Sequence, residues 1–321
     1  MKKIVYILPI QPSGGEKLKE KYEVVVLPND DRETILSNIK DADAVVLRLT
    51  RFGKEYIDAA PNLKVIARNG VGVDTVDVAY ATEKGIPVVT TGSANSRPVA
   101  EHAFASACAI YKKFVHLDSE VRKGNWKARD EKGALDLHGK SVGLVGFGKI
   151  GSEFAKMAMG GFDMKVYVYD PFISEEFAAQ CGVVLVKELD ELCRTCDIFS
   201  VHTHLTPETR GMIGEHELSL MKPTAVLVNC ARGGIYDEKA LAKALREKRI
   251  LGAAIDVFEN EPLNADSEFL SLDNVLLTPH SAAMTDDCKR SCSLTIAADI
   301  DAVLEGREPV NVANKDYKKF Q

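Results

Sequence analysis

The residues best suited to chemistry in this sequence are an arginine, two acids and a histidine placed just after apolar runs. The runs AVLVN, GAAI and VLLT are followed within three residues by Arg232, Asp256 and His280, and Glu261 comes five residues after Asp256. A histidine exchanges protons near neutral pH, and a carboxylate beside it favours its protonated form. Singly, each residue has a plainer explanation as a surface charge, a loop histidine or a turn cap. Together they suit acid–base chemistry.

A second chemical feature is the glycine motif GFGKIG at residues 146–151. It follows an apolar run at 142–145 and opens an Ala- and Met-rich helical pattern, after which a second strand at 165–169 closes on Asp170. A GxGxxG alone is weak evidence, because glycine clusters also make ordinary turns. Here a strand, a helix, a second strand and a terminal acid accompany the glycines, which is typical of a dinucleotide-binding unit.

Each part of this unit has a physical role. Gly146 allows a tight turn, Gly148 lets backbone N–H groups approach a pyrophosphate, and Gly151 lets the helix pack closely on the strand. The anion would lie at the helix N-terminus, and Asp170 would accept hydrogen bonds from the adenosine ribose. A carboxylate there repels the 2′-phosphate of NADP, and no arginine follows it at 171 or 172. We therefore predict NAD as the cofactor.

Composition excludes several classes of protein. The chain has 321 residues, of which 45% are hydrophobic, so it can form two domains with sizeable cores. Its net charge of −6 gives no reason to expect nucleic acid or an anionic membrane as partner, and no apolar run could span a bilayer. The N-terminal MKKIVYILPIQPSG has a short apolar part that meets prolines, so we predict a first strand there rather than a signal peptide.

The cysteines indicate a reducing compartment. There are seven, an odd number, which argues against a disulfide scaffold and for a cytoplasmic protein. Cys193 and Cys196 form an isolated CxxC, and Cys288 and Cys292 share one helical face. Packing is the ordinary role of such cysteines, so we expect no metal or redox site.

Strand and helix patterns alternate through residues 1–97, as in a parallel sheet with covered faces. Strands are predicted at KIVYIL, EVVVL, AVVL, KVIA and PVVT, and helices near 14–22, 31–39, 54–60 and 75–84. After KVIA, Gly70 and Gly72 lie at the carboxyl end of a strand, where backbone N–H groups can contact a small anion such as a carboxylate. A plain glycine turn into the next helix is an equal alternative.

The second half of the chain is predicted to form a doubly wound sheet. A long helical pattern from Val99 to about Lys123 comes first, and in it Glu101 and His102 are either functional or a solvated polar pair. The alternation then resumes, with strands near 141–145, 165–169, 183–186, 197–202, 225–229, 252–256 and 274–277. Ligands bind beyond the carboxyl ends of such strands, where the arginine, acids and histidine described above would meet. A final helix, Thr285 to Leu304, is long enough to pack on the first domain.

These residues give the sequence a family resemblance over nearly its full length: it resembles the D-isomer-specific 2-hydroxyacid dehydrogenases. The stretches that carry the resemblance are NGVGVDTVD (69–77), NSRPVAEH (95–102), GLVGFGKIG (143–151), YVYDP (167–171), HTHLTPETRGMI (202–213), NCARGGIYDE (229–238), AIDVFENEP (254–262) and TPHSA (278–282). The resemblance implies two doubly wound parallel-sheet α/β domains. A Rossmann domain at 98–285 would bind NAD, inserted into a split, flavodoxin-like substrate domain at 1–97 plus 286–321. It also implies a cytoplasmic homodimer.

The family's catalytic arginine, glutamate and histidine fall on Arg232, Glu261 and His280. Hydride transfer to a 2-oxo acid leaves an alkoxide that needs a proton, which His280 would supply with Glu261 beside it. Arg232 would bind the substrate carboxylate and carbonyl, which a planar fork does better than lysine. The resemblance makes the loop of Gly70, Val71 and Gly72 a substrate-carboxylate site. The cofactor contacts that it implies are Val71, Gly146, Gly148, Lys149, Ile150, Gly151, Asp170, Thr203, Cys230, Ala231 and Asp256.

The substrate stays open among small 2-oxo and 2-hydroxy acids, as does the direction of the reaction. The segments at 44–53 and 307–315 are most similar to the phosphoglycerate dehydrogenase and hydroxypyruvate reductase branch. Arg48 or Arg51 would then bind a substrate phosphate, or be plain surface charges. The printed sequence ends at Gln321, without the regulatory domain that many phosphoglycerate dehydrogenases append. Hydroxypyruvate, glyoxylate and branched or aromatic 2-oxo acids are the alternatives.

Two further alternatives are less favoured. Related enzymes that act on formate carry a glutamine beside the histidine, so Glu261 counts against formate. Nuclear corepressors of the same superfamily sense NADH and bind partner peptides while keeping a similar triad. The composition of this chain, that of a compact enzyme without extended low-complexity tails, counts against a corepressor.

Overall fold

The computed structural model describes residues 1–320, which form two α/β units. One unit comprises residues 1–95 with 284–320, and the other comprises residues 96–283. The sequence placed these boundaries two residues later, at 97 and 285, and the functions assigned to the two parts stay predictions. Over the described residues 1–320, the helices are too short or too polar to cross a membrane.

The first unit contains a five-stranded parallel sheet in the order β2-β1-β3-β4-β5, which is the flavodoxin-like order. Its strands are β1 (Lys3–Tyr6), β2 (Glu23–Val26), β3 (Ala44–Leu47), β4 (Val65–Arg68) and β5 (Val88–Val89). Its helices are α1 (Ser13–Lys19), α2 (Arg32–Asn38), α3 (Lys54–Asp58), α4 (Val78–Glu83) and α12 (Asp286–Leu304), with a 3-10 helix at Lys315–Phe320.

Both faces of this sheet are buried because successive side chains of a strand point to opposite sides. Val5 of β1 packs in one apolar cluster with Ile35 of α2, while its neighbour Ile4 packs in the other with Ile296 and Ile300 of α12. The final helix therefore belongs to the core of the first unit, as the sequence predicted. This two-sided burial explains why β1 and β3 are continuous apolar runs rather than alternating ones.

The second unit contains a seven-stranded parallel sheet in the order β12-β11-β10-β9-β6-β7-β8. Its strands are β6 (Ser141–Val145), β7 (Lys165–Tyr169), β8 (Val184–Leu185), β9 (Ile198–Val201), β10 (Val226–Asn229), β11 (Gly252–Ile255) and β12 (Val275–Leu277). Its helices are α5 (Ser96–Tyr111), α6 (Phe114–Arg122), α7 (Lys149–Phe162), α8 (Glu175–Gln180), α9 (Leu189–Thr195), α10 (Glu215–Leu220) and α11 (Glu238–Arg246), with 3-10 helices at Trp126–Asp130 and Glu268–Ser271. The strand order reverses between β6 and β9, as in a Rossmann fold.

The continuous helix predicted from Val99 to about Lys123 is wrong, because the structure has two helices there. Lys113, between α5 and α6, has a φ of 54°, a left-handed conformation that ends a helix. The carbonyl of Tyr111 accepts a hydrogen bond from the Leu135 N–H at 2.8 Å, so a distant segment satisfies the end of α5. The buried Tyr111 hydroxyl donates to the carbonyls of Asp197 and Thr224, which anchors the break inside the unit.

Candidate active site

The glycine motif joins β6 to α7 under tight steric limits. Gly146 has a φ of 93°, and a Cβ on it would lie 2.8 Å from the carbonyl oxygen of His202. A Cβ on Gly151 would lie 2.4 Å from the carbonyl oxygen of Gly146. Close backbone approach therefore requires glycine at both positions.

Gly148 is different, since no atom lies within 4 Å of the place where its Cβ would be. It caps α7, whose first-turn N–H groups at Lys149 and Ile150 have no partner within the helix. A side chain at 148 would fill open space directly above these donors. The loop thus fits the pyrophosphate of a dinucleotide, which needs both that space and those donors.

Asp170 follows β7 and ties this loop to the strand. Its carboxylate accepts hydrogen bonds from the backbone N–H of Phe147 at 2.7 Å and of Phe172 at 2.9 Å. A carboxylate can accept about four hydrogen bonds, so capacity remains for two ribose hydroxyls. Asp170 therefore has a structural role in the turn and keeps the acceptors that a ribose requires.

His202 lies beneath the glycine motif and was missed by sequence reasoning. It follows β9, and its backbone N–H donates to the carbonyl of Val145. The centroid of its ring lies 5.5 Å from the centroid of the Phe154 ring. Among residues 1–320 its Nε2 atom is buried without a hydrogen-bond partner, and burial lowers its pKa to about 3. The ring is therefore neutral at physiological pH. Thr203 follows it and lies near Gly146, its N atom being 3.2 Å from where a Cβ of that glycine would be.

Asn229, also missed, shapes the loop that carries Arg232. Its fully buried amide accepts from the N–H of Ala231 and donates to the carbonyl of Arg232, each at 2.9 Å. The Arg232 side chain is partly buried, and its Nη1 donates to the Ala231 carbonyl at 2.7 Å. A buried asparagine thus fixes the backbone from which the guanidinium projects.

The Arg232 loop contacts the segment that leads to Glu261. A Cβ on Gly233 would lie 2.0 Å from the backbone of Phe258, so only glycine allows this approach. The N–H of Phe258 in turn donates to Glu261 Oε1 at 3.1 Å. The loops after β10 and β11 are therefore packed together.

His280 and Glu261 form the pair that the sequence predicted. His280 Nδ1 lies 2.7 Å from Glu261 Oε2, with both side chains partly exposed. Because Nδ1 faces the carboxylate, the other ring nitrogen, Nε2, is the one that can exchange a proton with a ligand. The backbone of His280 is left-handed, with a φ of 50°.

Asp256 holds the turn that contains His280. Its carbonyl accepts the N–H of His280 at 2.8 Å, and its carboxylate accepts the N–H groups of Ser281 at 2.8 Å and Ala282 at 3.0 Å. The carboxylate is 1% exposed. The half-buried Cys230 lies close by, and burial, with Asp256 nearby, raises the pKa of its thiol. A direct cofactor contact by either residue stays a prediction.

The loop predicted to bind a substrate carboxylate lies in the first unit. Gly70 has a φ of 155°, and a Cβ on it would lie 1.3 Å from Nη1 of Arg68, so that guanidinium covers the loop. Val71 is exposed and Gly72 is partly exposed. Arg48 is exposed, with Nη2 2.9 Å from the sulfur of Met284. The sequence did not single out Arg68, although it ends β4 directly before the two glycines.

The two closely spaced pairs of cysteines have the surroundings of packing residues. Cys193 and Cys196 are 0% and 1% exposed, and burial raises the pKa of each thiol to about 12. Cys288 and Cys292 are buried on α12 with their sulfurs 3.8 Å apart. A buried thiol with a raised pKa, such as that of Cys193 or Cys196, is a poor nucleophile.

Comparison with known proteins agrees with this geometry. Residues 104–282 match the family model described as "D-isomer specific 2-hydroxyacid dehydrogenase, NAD binding domain". The chain belongs to this family. Its two parallel-sheet units also match solved structures throughout. One is the TT0316 protein of Thermus thermophilus, with a TM-score of 0.88, 32% identity, and coverage of 97% of this chain and 99% of that one.

Two kinds of name recur among the similar relatives. A D-3-phosphoglycerate dehydrogenase of Methanocaldococcus jannaschii is 42% identical over 98% of this chain, which spans only 60% of that relative's length. A glyoxylate reductase of Korarchaeum cryptofilum is 37% identical, with 100% of this chain and 98% of the relative covered. A solved NADPH-dependent glyoxylate/hydroxypyruvate reductase of Sinorhizobium meliloti has a TM-score of 0.88 at 27% identity, and both chains are fully covered.

Proposed function

We propose that this protein is a dehydrogenase that interconverts a small 2-oxo acid and the corresponding D-2-hydroxy acid with a nicotinamide dinucleotide. The observation that carries the proposal is the 2.7 Å contact between His280 Nδ1 and Glu261 Oε2 at the carboxyl edge of the Rossmann sheet. A histidine paired in this way can deliver a proton from Nε2 and take it back. The bound dinucleotide would supply or accept the hydride.

The residues of the second unit have distinct parts in this chemistry. Arg232 binds the carboxylate and carbonyl of the 2-oxo acid, and its positive charge stabilises the oxygen as negative charge develops there. His280 protonates that oxygen, and Glu261 stabilises the imidazolium and holds the ring by its Nδ1. In the reverse direction His280 accepts the hydroxyl proton. The backbone of Gly70, Val71 and Gly72 in the first unit is proposed to bind the substrate carboxylate as well.

We propose NAD rather than NADP as the preferred cofactor. The support is Asp170, whose carboxylate is partly exposed after β7 and retains acceptor capacity beyond its two backbone hydrogen bonds. A 2′-phosphate would meet its negative charge. Because the relative from Sinorhizobium meliloti described above is NADPH-dependent, the preference is tested by comparing kcat/KM with NADH and with NADPH.

Two substrate classes are supported by different observations. The phosphorylated class, phosphohydroxypyruvate and 3-phosphoglycerate, is supported by the 42% identity to a phosphoglycerate dehydrogenase and by the arginines Arg48, Arg51 and Arg68. The unphosphorylated class, glyoxylate and hydroxypyruvate, is supported by the end-to-end match to a glyoxylate reductase. We favour the phosphorylated class, since three arginines lie at or just after the ends of β3 and β4.

The test is a panel of kcat/KM values for glyoxylate, hydroxypyruvate and phosphohydroxypyruvate with NADH and with NADPH. The proposal predicts turnover with NADH and the highest kcat/KM for the phosphorylated acid. If glyoxylate is the better substrate, the arginines are surface charges. NADH binding without turnover of any 2-oxo acid would contradict the dehydrogenase proposal and favour a NADH-sensing corepressor-like protein.

We also propose a homodimer. Four large apolar side chains on α6 and the 3-10 helix after it, Phe114, Val115, Val121 and Trp126, are 52% to 70% exposed. Large apolar side chains exposed within one short stretch of chain are typical of association surfaces, and a second copy of the chain is the partner that the family resemblance implies. Sedimentation of the wild type and of Phe114→Ser tests this: a monomeric wild type contradicts the dimer, and a dimeric variant contradicts the surface.

A further inference from the structure

Helix α5 brings His102 into the hydrogen-bond network beneath the catalytic turn. His102 Nε2 lies 3.1 Å from the Thr278 hydroxyl oxygen, which lies 2.5 Å from Asp256 Oδ1. The direct distance from His102 Nε2 to Asp256 Oδ1 is 3.9 Å, too long for a hydrogen bond. His102 therefore reaches the carboxylate through the threonine.

The direction of these hydrogen bonds follows from proton counting. A hydroxyl has one proton, and the Thr278 hydroxyl donates that proton to Asp256 Oδ1. Toward His102 the hydroxyl oxygen is then an acceptor. His102 must donate from a protonated Nε2.

The carboxylate at the end of this chain controls the backbone that presents His280. It accepts the N–H groups of Ser281 and Ala282, while the Asp256 carbonyl accepts that of His280. Rotation of the carboxylate would break the first two of these bonds. These bonds hold the residues that follow His280, whose own backbone is left-handed.

We infer that His102 is a positioning residue: its Nε2–H, acting through the Thr278 hydroxyl, fixes the Asp256 carboxylate and thereby the turn that presents His280. This inference rests on the proposed dehydrogenase function for its effect on turnover, but not for its effect on the turn. His102 itself need not touch the substrate. Its side chain is 24% exposed, so most of it is packed in the unit.

A metal site is a weaker explanation of the same cluster. His102, Cys230 and Asp256 bring nitrogen, sulfur and oxygen atoms within 4.8 Å of one another. However, the Asp256 carboxylate already accepts three hydrogen bonds, from the Thr278 hydroxyl and from the N–H groups of Ser281 and Ala282. Hydrogen bonding accounts for the placement of the histidine and the carboxylate.

The test compares two substitutions of His102 that differ in their ability to donate. His102→Gln places an amide N–H near the position of Nε2, while His102→Leu fills similar space without a donor. Loss of this hydrogen bond should lower kcat about tenfold in the leucine variant, while the glutamine variant stays within about threefold of wild type. Glu101→Gln is the matched control, because Glu101 is the neighbour on α5 and its carboxylate pairs with Arg97 at the surface.

Amide hydrogen exchange of the 278–283 segment gives a readout that does not depend on turnover. His102→Leu and Thr278→Val should each speed exchange at Ser281 and Ala282, and His102→Gln and Glu101→Gln should not. The double variant His102→Leu/Thr278→Val should exchange no faster than Thr278→Val alone, because both changes break one chain of bonds. If His102→Leu does not fold, exchange at Ser281 and Ala282 is compared between His102→Gln, which should match wild type, and Thr278→Val, which should exchange faster.

Several results would overturn the inference. One is a glutamine variant as impaired as the leucine variant, which would mean that charge or shape matters rather than the N–H. Another is unchanged exchange at Ser281 and Ala282 in Thr278→Val, and a third is additive effects in the double variant. If wild type turns over no 2-oxo acid but exchange behaves as expected, the proposed function fails and the positioning role of His102 stands.

Discussion

Replacement of Asp170 by asparagine should reverse or abolish the preference for NADH over NADPH. The carboxylate is proposed to accept hydrogen bonds from the adenosine ribose, and each hydrogen bond to a charged acceptor contributes about 1.5–3 kcal/mol. Loss of one such bond therefore lowers kcat/KM with NADH at least about tenfold. With NADPH, removal of the negative charge also removes repulsion of the 2′-phosphate, so the NADH/NADPH ratio should fall about a hundredfold.

The structure shows why this ratio, and not the activity with one cofactor, must be measured. Asp170 also accepts the N–H groups of Phe147 and Phe172, so any substitution loosens the glycine loop. That loosening weakens both cofactors equally, because they share the pyrophosphate, and it cancels in the ratio. Asparagine is preferred to alanine since it retains one acceptor for these N–H groups.

A charge-matched control lies at the far end of the same helix. Asp163 caps the C-terminus of α7, about 21 Å from its start by the rise per residue, in a left-handed conformation that asparagine tolerates. Asp163→Asn removes the same charge and should leave the ratio unchanged. Both variants are compared at one ionic strength, because salt screens the repulsion. A wild type that uses both cofactors equally, or an Asp170→Asn variant with an unchanged ratio, would refute the assignment.

Three further substitutions test the second unit. His280→Ala should lower kcat at least about a hundredfold while the Kd for NADH stays within a few fold; near-normal kcat would show that His280 is not the proton donor. Glu261→Gln should lower kcat for 2-oxo acid reduction about tenfold, because the amide loses the charge-assisted hydrogen bond to His280 Nδ1, and an unchanged kcat would contradict the pair. His202→Phe should make the free energy of unfolding less dependent on pH. Burial lowers the pKa of His202 in the folded state from 6.5 to about 3. The contribution of its neutral ring to stability is therefore fully present above pH 6.5 and is lost as the pH falls toward 3. Between pH 7 and pH 5 the wild type should lose about 2 kcal/mol of unfolding free energy that the variant keeps, as measured by urea unfolding of both proteins at each pH. An equal loss in wild type and variant would refute the lowered pKa of His202.

The sequence predicted most of the fold because its strands are buried on both faces. Runs such as AVVL in β3 and GAAI in β11 leave few alternatives to a parallel sheet, and the glycine motif marks the first strand of the second unit. The break between α5 and α6 was not predictable in the same way. It depends on a hydrogen bond from Leu135 to the carbonyl of Tyr111, a contact between residues far apart in the chain.

The predicted site residues and the missed ones both lie at or after strand ends, and they differ in what their roles depend on. His280 and Glu261 follow strand ends, and chain order alone brings parallel strand ends to one edge of a sheet. Asn229 and His202 also follow or end strands, but their roles depend on which loop closes over them. Arg68 ends β4, and its relation to Gly70 depends on a side-chain conformation that no pattern encodes.

The placement of Asp256 explains how an unfavourable backbone conformation can persist at His280, the proposed proton donor. A non-glycine residue in the left-handed region costs on the order of 1–3 kcal/mol, and His280 adopts it with a φ of 50°. Hydrogen bonds to a charged acceptor contribute about 1.5–3 kcal/mol each, and the Asp256 carboxylate accepts two from the residues that follow His280. The two bonds together are therefore large enough to offset the strain. They depend on the orientation of the Asp256 carboxylate, which the Thr278 hydroxyl and, through it, His102 are proposed to fix.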